Sequence, residues 1–304
     1  MQGIRGLILV FDVGGSHMAA TVFDPQSNSI GEIHDLRVLP DEKPETFFKT
    51  FESLVSTTLP AASTSCGISI AIPSPFDYEK GISHMRHKFQ SLYGMDLRAA
   101  LSRLTCCPPD RIHFLNDAAA SLIGEIHRGA ARGARRAIGL TLGTGVGSAF
   151  AVDENVVVEG PGVPPGGEIW NQAYRDGTVE DYISTLAIQR NFEELTGKRW
   201  EVCEIAASQS QQQEAQQAFE RFGRELGTVL RQISVGFAPD RIVLSGGIAH
   251  AADRFLVAAK EQLGEYQNRL VVSELFERAP LIGAGISWRN RNATGNPPMP
   301  REEP

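Results

Sequence analysis

The sequence predicts an α/β protein built in two halves, and three observations carry that prediction. A strand, glycine turn, strand device occurs near the start, Leu7 to Phe23, and again in the second half, Ala137 to Val152. The continuous apolar run Cys66 to Ile72 has the character of a strand buried on both faces of a parallel sheet. Two further strand patterns run straight into helix patterns, at Asn116-Asp117 and at Ser245-Gly246-Gly247. With 304 residues there is room for one large or two ordinary domains whose cores need no disulfides.

The opening hairpin turns at Gly14-Gly15, a pair that accepts the positive φ angles of a tight turn. Bare of Cβ atoms, the turn also lets backbone N–H groups approach an anion. Ser16 adds a hydroxyl, and Asp12 a carboxylate able to hold Mg²⁺ through water. These are the needs of a nucleotide triphosphate, although an ordinary tight turn reads from the same residues equally well. Ile30 to Leu39 alternates as a third antiparallel strand, after the turn Asp24 to Asn28. Pro44 to Leu59 has helical spacing of Phe47, Phe48, Phe51, Leu54 and Val55, with proline at its start. Pro73-Ser74-Pro75 ends the buried strand, and Phe76 to Gly94 is predicted as a surface excursion. Its polar group His84, Arg86, His87 and Lys88 reads by itself as a solvated face.

A short helix, Asp96 to Leu104, and a brief strand, Ile112 to Leu115, lead to Asn116-Asp117 and the strong helix former Ala118 to Glu125. An Asn or Asp there serves as an N-cap, and the same junction is where α/β proteins present catalytic groups. The second hairpin turns at Gly143-Thr144-Gly145-Val146-Gly147. It cannot be a Rossmann phosphate loop, because another strand follows instead of a helix, and it lacks the Walker lysine. Two such hairpins facing one another across a cleft would grip a triphosphate from both sides. Downstream come a rigid loop ending at Glu168, a helix start carrying Glu180, a long helix within Gln209 to Arg231, and the strand and glycine turn Arg241 to Ala249. A final helix is expected around Leu281 to Trp288, and residues 294–304 read as disordered.

Net charge is −7 without a basic block, which argues against nucleic acid or an anionic membrane as partner. No apolar run approaches the roughly 20 residues of a membrane span, so the cytoplasm is the default location. The four cysteines, Cys66, Cys106, Cys107 and Cys203, lack CxxC spacing and read as reduced thiols.

In their order, these motifs resemble the ROK family of sugar kinases and sugar-responsive repressors, within the actin/hexokinase/chaperone-ATPase superfamily. Asp12 to Ser16 looks like the first phosphate motif, Ile72 to Pro75 like the VPGP turn, and Gly143 to Gly147 like the second phosphate motif. Gly166-Gly167-Glu168 looks like the GE motif and Ser245-Gly246-Gly247 like the adenosine turn. The resemblance implies a two-lobed actin-like ATPase (ribonuclease H-like) α/β fold with mixed sheets and an interlobe cleft. A smaller lobe would span 1–117 and a larger one 118–293, with the final helix returning to the first. It implies transfer of the γ-phosphate of ATP to a hexose hydroxyl, with Asp117 as general base and Asn116, Glu168 and Glu180 on the sugar. Gly14, Gly15, Ser16, Gly143, Thr144 and Gly145 would face the phosphates, Gly246 and Gly247 the adenosine, and Asp12 would hold Mg²⁺ through water. A homodimer is implied as well.

Two departures from the family pattern stand out. The stretch from Glu168 to Thr178 has neither the His nor the Cys of the family's structural zinc site, so no zinc is expected and Asn171 takes the place of a histidine contact to the sugar. Where family members often place Asn before an aromatic residue, this chain has Arg86-His87-Lys88-Phe89. That substitution predicts an acceptor carrying an anionic group that Lys88 or Arg86 pairs with. The competing readings are a sugar or nucleotide sensor of the same fold without turnover, and a kinase using polyphosphate. A repressor is disfavoured, because the first strand begins by about Leu7 and leaves no helix-turn-helix ahead of it.

Overall fold

The computed structural model describes residues 6–59, 65–86 and 88–293. The chain forms two compact units, one of residues up to Ala120 together with those from Pro280 onward, the other Ser121–Ala279.

The first unit opens with β1 (Leu7–Val13) and β2 (His17–Asp24), then β3 (Ser29–Ile30), β4 (His34–Arg37) and α1 (Pro44–Thr58). Next come β5 (Ser65–Ile72), the small hairpin β6 (Phe76–Asp77) and β7 (Ile82–Ser83), α2 (Leu97–Thr105), β8 (Ile112–Asn116) and the first turn of α3 (Asp117–Arg128), whose remainder from Ser121 belongs to the second unit. Six strands form one sheet in the order β3-β2-β1-β5-β8, with β4 also on β2. β1 and β2 are antiparallel, whereas β1, β5 and β8 run parallel. β5 is buried from Gly67 onward, as its unbroken apolar run requires. α1 turns Phe47, Phe51 and Leu54 inward, and the Phe51 ring stacks on Phe11 of β1 at 4.1 Å. Asp96 caps α2 by accepting the Ala99 N–H at 2.8 Å.

Two expectations are corrected in this unit. The third strand is two pieces, Ile30 paired with Phe23 and His34 to Arg37 paired with Ala20 to His17. Between them the Gly31 N–H still donates to Val22 O at 2.9 Å. Val38 is buried, but Leu36 is exposed and Ile33 only half-buried, so the segment has little buried apolar face to hold one register and a break at the sheet edge costs little. The segment Phe76 to Gly94 is no surface excursion either: Phe76, Met85, Phe89 and Leu92 are buried in the core.

The second unit contains β9 (Arg136–Leu142), β10 (Val146–Val152), β11 (Asn155–Val157) and a separate hairpin of β12 (Ala173–Tyr174) and β13 (Gly177–Thr178). Helices α4 (Val179–Ile183), α5 (Thr185–Thr196), α6 (Val202–Ala207) and α7 (Gln212–Phe237) follow. β14 (Arg241–Ser245), α8 (Ala252–Leu263) and β15 (Leu270–Val272) complete the unit. Its sheet runs β11-β10-β9-β14-β15, again antiparallel through the hairpin and parallel beyond it. α7 is the core helix: Phe219, Phe222, Leu226, Val229 and Leu230 are all buried. Gly223 and Gly227 let the backbone of α8 approach it, since a Cβ at either would collide with Phe255 O or Ala259 O.

The final helix, α9 (Arg278–Ala293), is longer than its predicted core and enters the first unit from Pro280 onward. Its Trp288 is fully buried, lies where a Cβ on Gly67 would be, and donates its indole N–H to Arg111 O at 3.0 Å. Ser69 Oγ donates to Ala284 O at 2.8 Å, and Gly285 gives room to the Phe23 ring. No helix among the described residues is long and apolar enough to cross a membrane. The predicted disordered tail, 294–304, and His87 lie outside the described residues.

Candidate active site

In the first unit the register sets the geometry. Asp12 pairs with Ala71, and Ala71 pairs with Leu115, so Asp12 and Leu115 occupy one row across three parallel strands. The glycine turn after Asp12 and the pair Asn116-Asp117 therefore leave the same, C-terminal end of the sheet, where open α/β sheets bind ligands. The turn closes through Gly14 N–H donating to His17 O at 2.9 Å. Neither Gly14 nor Gly15 adopts a positive φ, which corrects the reason expected for the pair. At Gly14 space is the reason instead, because a Cβ would lie 2.9 Å from His17 Cε1; at Gly15 it would only touch the Lys88 side chain, 3.6 Å from Cε and 3.9 Å from Nζ. Ser16 is exposed at the tip, its carbonyl accepting the Val38 N–H at 3.1 Å.

At the strand-to-helix junction the cap falls to Asn116, whose Oδ1 accepts the Ala119 N–H at 3.0 Å. Its Nδ2 donates to Tyr78 Oη at 3.3 Å, and Tyr78 in turn donates to Ile72 O at 3.2 Å. The Asn116 carboxamide is thus oriented from both ends. Asp117, half-buried, is the first residue of α3, where the helix dipole favours a carboxylate; one of its oxygens accepts the Ala118 N–H at 2.9 Å.

In the second unit Gly143 N–H donates to Gly145 O at 3.0 Å, and Val146 N–H donates to Glu180 Oε2 at 2.8 Å. Glu180, expected on the sugar, therefore also braces the second turn. A Cβ on Gly145 would sit 2.6 Å from that same carboxylate oxygen, whereas Gly143 has no other atom within 4 Å of its Cβ position. Thr144 is exposed between them. Ser245 pairs with Thr141, so the turn Gly246-Gly247 emerges beside the second hairpin. Gly246 does need to be glycine: its φ is +83° and a Cβ would strike the Leu142 backbone. Gly247 is open.

Gly166 and Gly167 have φ of +69° and +70°, a double left-handed step that aims Glu168. Ser148 of β10 pins the step, donating to Gly167 O at 2.7 Å while its Oγ accepts the Ile169 N–H at 3.1 Å. Glu168 Oε2 accepts the Trp170 indole N–H at 3.0 Å, and Trp170 O accepts the Glu180 N–H at 3.0 Å. Trp170 thus ties the two candidate sugar carboxylates together. Asn171 is exposed on the same loop.

The loop's other hold was not legible in sequence. Glu225 of α7 accepts hydrogen bonds from Tyr174 Oη at 2.7 Å, Arg175 Nε at 3.1 Å and Arg175 Nη2 at 2.8 Å, across about fifty residues of chain. Burial, together with the bond to Glu225, pushes the Tyr174 hydroxyl pKa up. Among the described residues no group of three or more His, Cys, Asp or Glu is placed to hold a metal ion. The four cysteines are free thiols, and burial pushes Cys107 up to about 11.

Two sheets of one plan, each with a glycine turn between its first antiparallel strands and parallel strands beyond, define the actin-like, ribonuclease H-like ATPase fold. The ROK family glucokinase of Streptomyces griseus, solved in complex with glucose and AMPPNP, has this fold. It superposes with a TM-score of 0.77 at 19% identity over 94% of this chain and 100% of that one. The chain belongs to the ROK family, whose sequence model matches residues 8–291. It is 26% identical over 256 residues to a glucokinase of Thermotoga maritima, covering 74% of this chain and 79% of that protein. It is also 21% identical to an N-acetylgalactosamine kinase of a Shewanella species, over 80% of this chain and 82% of that protein.

Proposed function

We propose that the protein is an ATP-dependent sugar kinase that transfers the γ-phosphate to a hexose hydroxyl. Asp117 accepts the proton of the attacking hydroxyl, a contribution of about 10²–10⁴ in rate. Asn116, Glu168, Glu180 and Asn171 bind the other sugar hydroxyls, because a polyol presents many donors and each carboxylate accepts two. The turns at Gly14 to Ser16 and Gly143 to Gly145 offer backbone N–H groups to the phosphates, and Gly246-Gly247 receives the adenosine. Asp12, a single hard oxygen donor beside the first turn, suits Mg²⁺ that keeps its waters and takes its remaining ligands from phosphate. Bound there, the ion would supply charge neutralisation on the phosphates.

The observation that carries this reading is the shared sheet end of the Asp12 turn and Asp117, fixed by the Asp12–Ala71–Leu115 row. Membership in the ROK family supports it, as does the acceptor and nucleotide chemistry named for the glucokinases and the amino-sugar kinase to which the chain is similar. The test is a coupled ADP-release assay with MgATP over a panel of hexoses, amino sugars and sugar acids, with Asp117→Asn as control. A sugar-dependent rate that collapses in the variant is expected. Nucleotide binding without sugar-dependent turnover on any panel member would favour a sensor instead.

A further inference from the structure

Of the two basic side chains over the first glycine turn, His17 belongs to the hairpin itself, while Lys88 arrives from a distant segment and has no structural task there. Its stem lies over Gly15, with Nζ 3.9 Å from where a Cβ would be. Among the described residues Lys88 has no hydrogen-bond or ion-pair partner, although the side chain is half-buried. Arg86, the other cation of this loop, is accounted for: it donates to Tyr93 Oη at 2.8 Å and stacks over that ring at 4.7 Å.

The backbone beside Lys88 is held firmly. Phe89 is fully buried, edge-on to Phe47 at 5.6 Å, and donates its N–H to Pro40 O at 2.7 Å. Its φ is +49°, a left-handed conformation that bulky residues avoid and that persists only where the surroundings impose it. Ser91 Oγ adds a bond of 2.6 Å to Glu42 O. The segment is therefore fixed so that an ammonium is delivered to the bare turn, and an unpaired cation in a half-buried place calls for an anion.

We propose that Lys88 is a catalytic residue whose ammonium meets the γ-phosphoryl oxygens of ATP at the first glycine turn; this rests on the kinase reading above. As the acceptor oxygen bonds to the γ-phosphorus, the bond to the β,γ-bridging oxygen breaks and its electron pair leaves with ADP. The hydroxyl proton passes to Asp117, and Lys88 takes no part in the proton transfer. Its role is a fixed positive charge against the phosphoryl oxygens, the part played by a point cation and not by a forked guanidinium.

The experiment compares wild type, Lys88→Met and Lys88→Arg by calorimetric titration with AMPPNP and with ADP, both with Mg²⁺, alongside kcat and KM for the best sugar. Thermal midpoints check that the variants fold. Lys88→Met should weaken AMPPNP by about tenfold or more while ADP stays near the wild-type value, as expected for loss of a hydrogen bond to a charged group. It should also lower kcat by roughly 10²-fold, with Lys88→Arg recovering part of both. An unchanged AMPPNP-to-ADP ratio in Lys88→Met, in a wild type that turns over sugar, would overturn the role of Lys88 and leave the kinase reading intact. A changed ranking of sugars with that ratio unchanged would do the same and would assign the ammonium to an anionic acceptor. A wild type that binds neither nucleotide would overturn both.

Discussion

In the first hairpin the space over Gly14 and Gly15 is taken by His17 and Lys88; in the second, Gly145 faces the carboxylate of Glu180 and Gly143 faces nothing within 4 Å. The strand pairing is the same in both, antiparallel through the turn and parallel to the next strand. Yet one turn is bordered by basic groups and the other is braced by an acid. A carboxylate beside a phosphate-binding turn repels the ligand unless it is engaged, and Glu180 is engaged, by the Val146 N–H. The glycine turn supplies only room and donors. The neighbouring side chain decides whether the turn attracts charge or merely keeps its shape.

The largest effect expected from breaking this arrangement lies at neither turn but at Asp117. Asp117→Asn should lower kcat by about 10²–10⁴ with little change in thermal midpoint, read by steady-state kinetics and calorimetry. The second turn comes next. Gly145→Ala drives a methyl group against Glu180, and Glu180→Gln weakens the acceptor for Val146 N–H, so each should cost about tenfold in kcat/KM. Because both disturb one contact, the double variant should lose less than the sum of the two singles, the remainder of the Glu180→Gln loss being its hold on the sugar; fully additive losses would show that the two residues are not coupled through that contact. Gly143→Ala sharpens the point from the other side. Its Cβ meets nothing, so the fold should keep its stability while AMPPNP binding weakens by several-fold, roughly as for a lost hydrogen bond at a crowded backbone.

The loop carrying Glu168 and Asn171 gives a smaller effect. Glu225→Ala removes the partner of Tyr174 and Arg175, so KM for the sugar should rise by several-fold while kcat is largely kept, the cost of a loosened loop on the order of 1 kcal/mol. The last expected effect concerns stability in acid and not turnover. Burial, reinforced by Arg291 and Arg98, pushes the His113 imidazole from 6.5 down to about 3, so the folded protein keeps it neutral. Arg291 donates to its Nδ1 at 3.0 Å, which places the proton on Nε2 toward Ser287. The unfolded chain takes up that proton near pH 6.5, whereas the folded one waits until about 3. This group's stabilisation is thus complete above pH 6.5 and declines as pH falls, by up to about 1.4 kcal/mol per pH unit. Urea midpoints at neutral and mildly acidic pH should show the decline, and His113→Gln should flatten it.

Much of this was legible where the signal is local. The paired glycine turns, the apolar run of β5, the proline-started α1 and the phenylalanine face of α7 each follow from spacing within a few residues. The break in the predicted third strand came at a sheet edge where Leu36 is exposed and little apolar surface is buried to hold one continuous register. Lys88 read as a solvated face because Phe89, the residue that buries the loop, takes a backbone conformation no pattern rule assigns to phenylalanine. Glu180 read as a sugar ligand alone, since its bond to Val146 spans 34 residues. Glu225 and Glu125 carried no signal at all. Glu125 is buried and accepts the Ala130 N–H at 2.7 Å and the hydroxyl of Ser273, and that second partner is remote in sequence. Periodicity reports what a residue faces, and long-range partners are set by topology.

The most direct test of the account is to identify the product. Wild-type protein, MgATP and the best acceptor of the panel are incubated, and the sugar is examined by mass spectrometry and ³¹P NMR. The account predicts one phosphoryl group on the sugar for each ADP released, and none above background with Asp117→Asn. ADP without phosphorylated sugar, or the same product formed at the wild-type rate by Asp117→Asn, would contradict it.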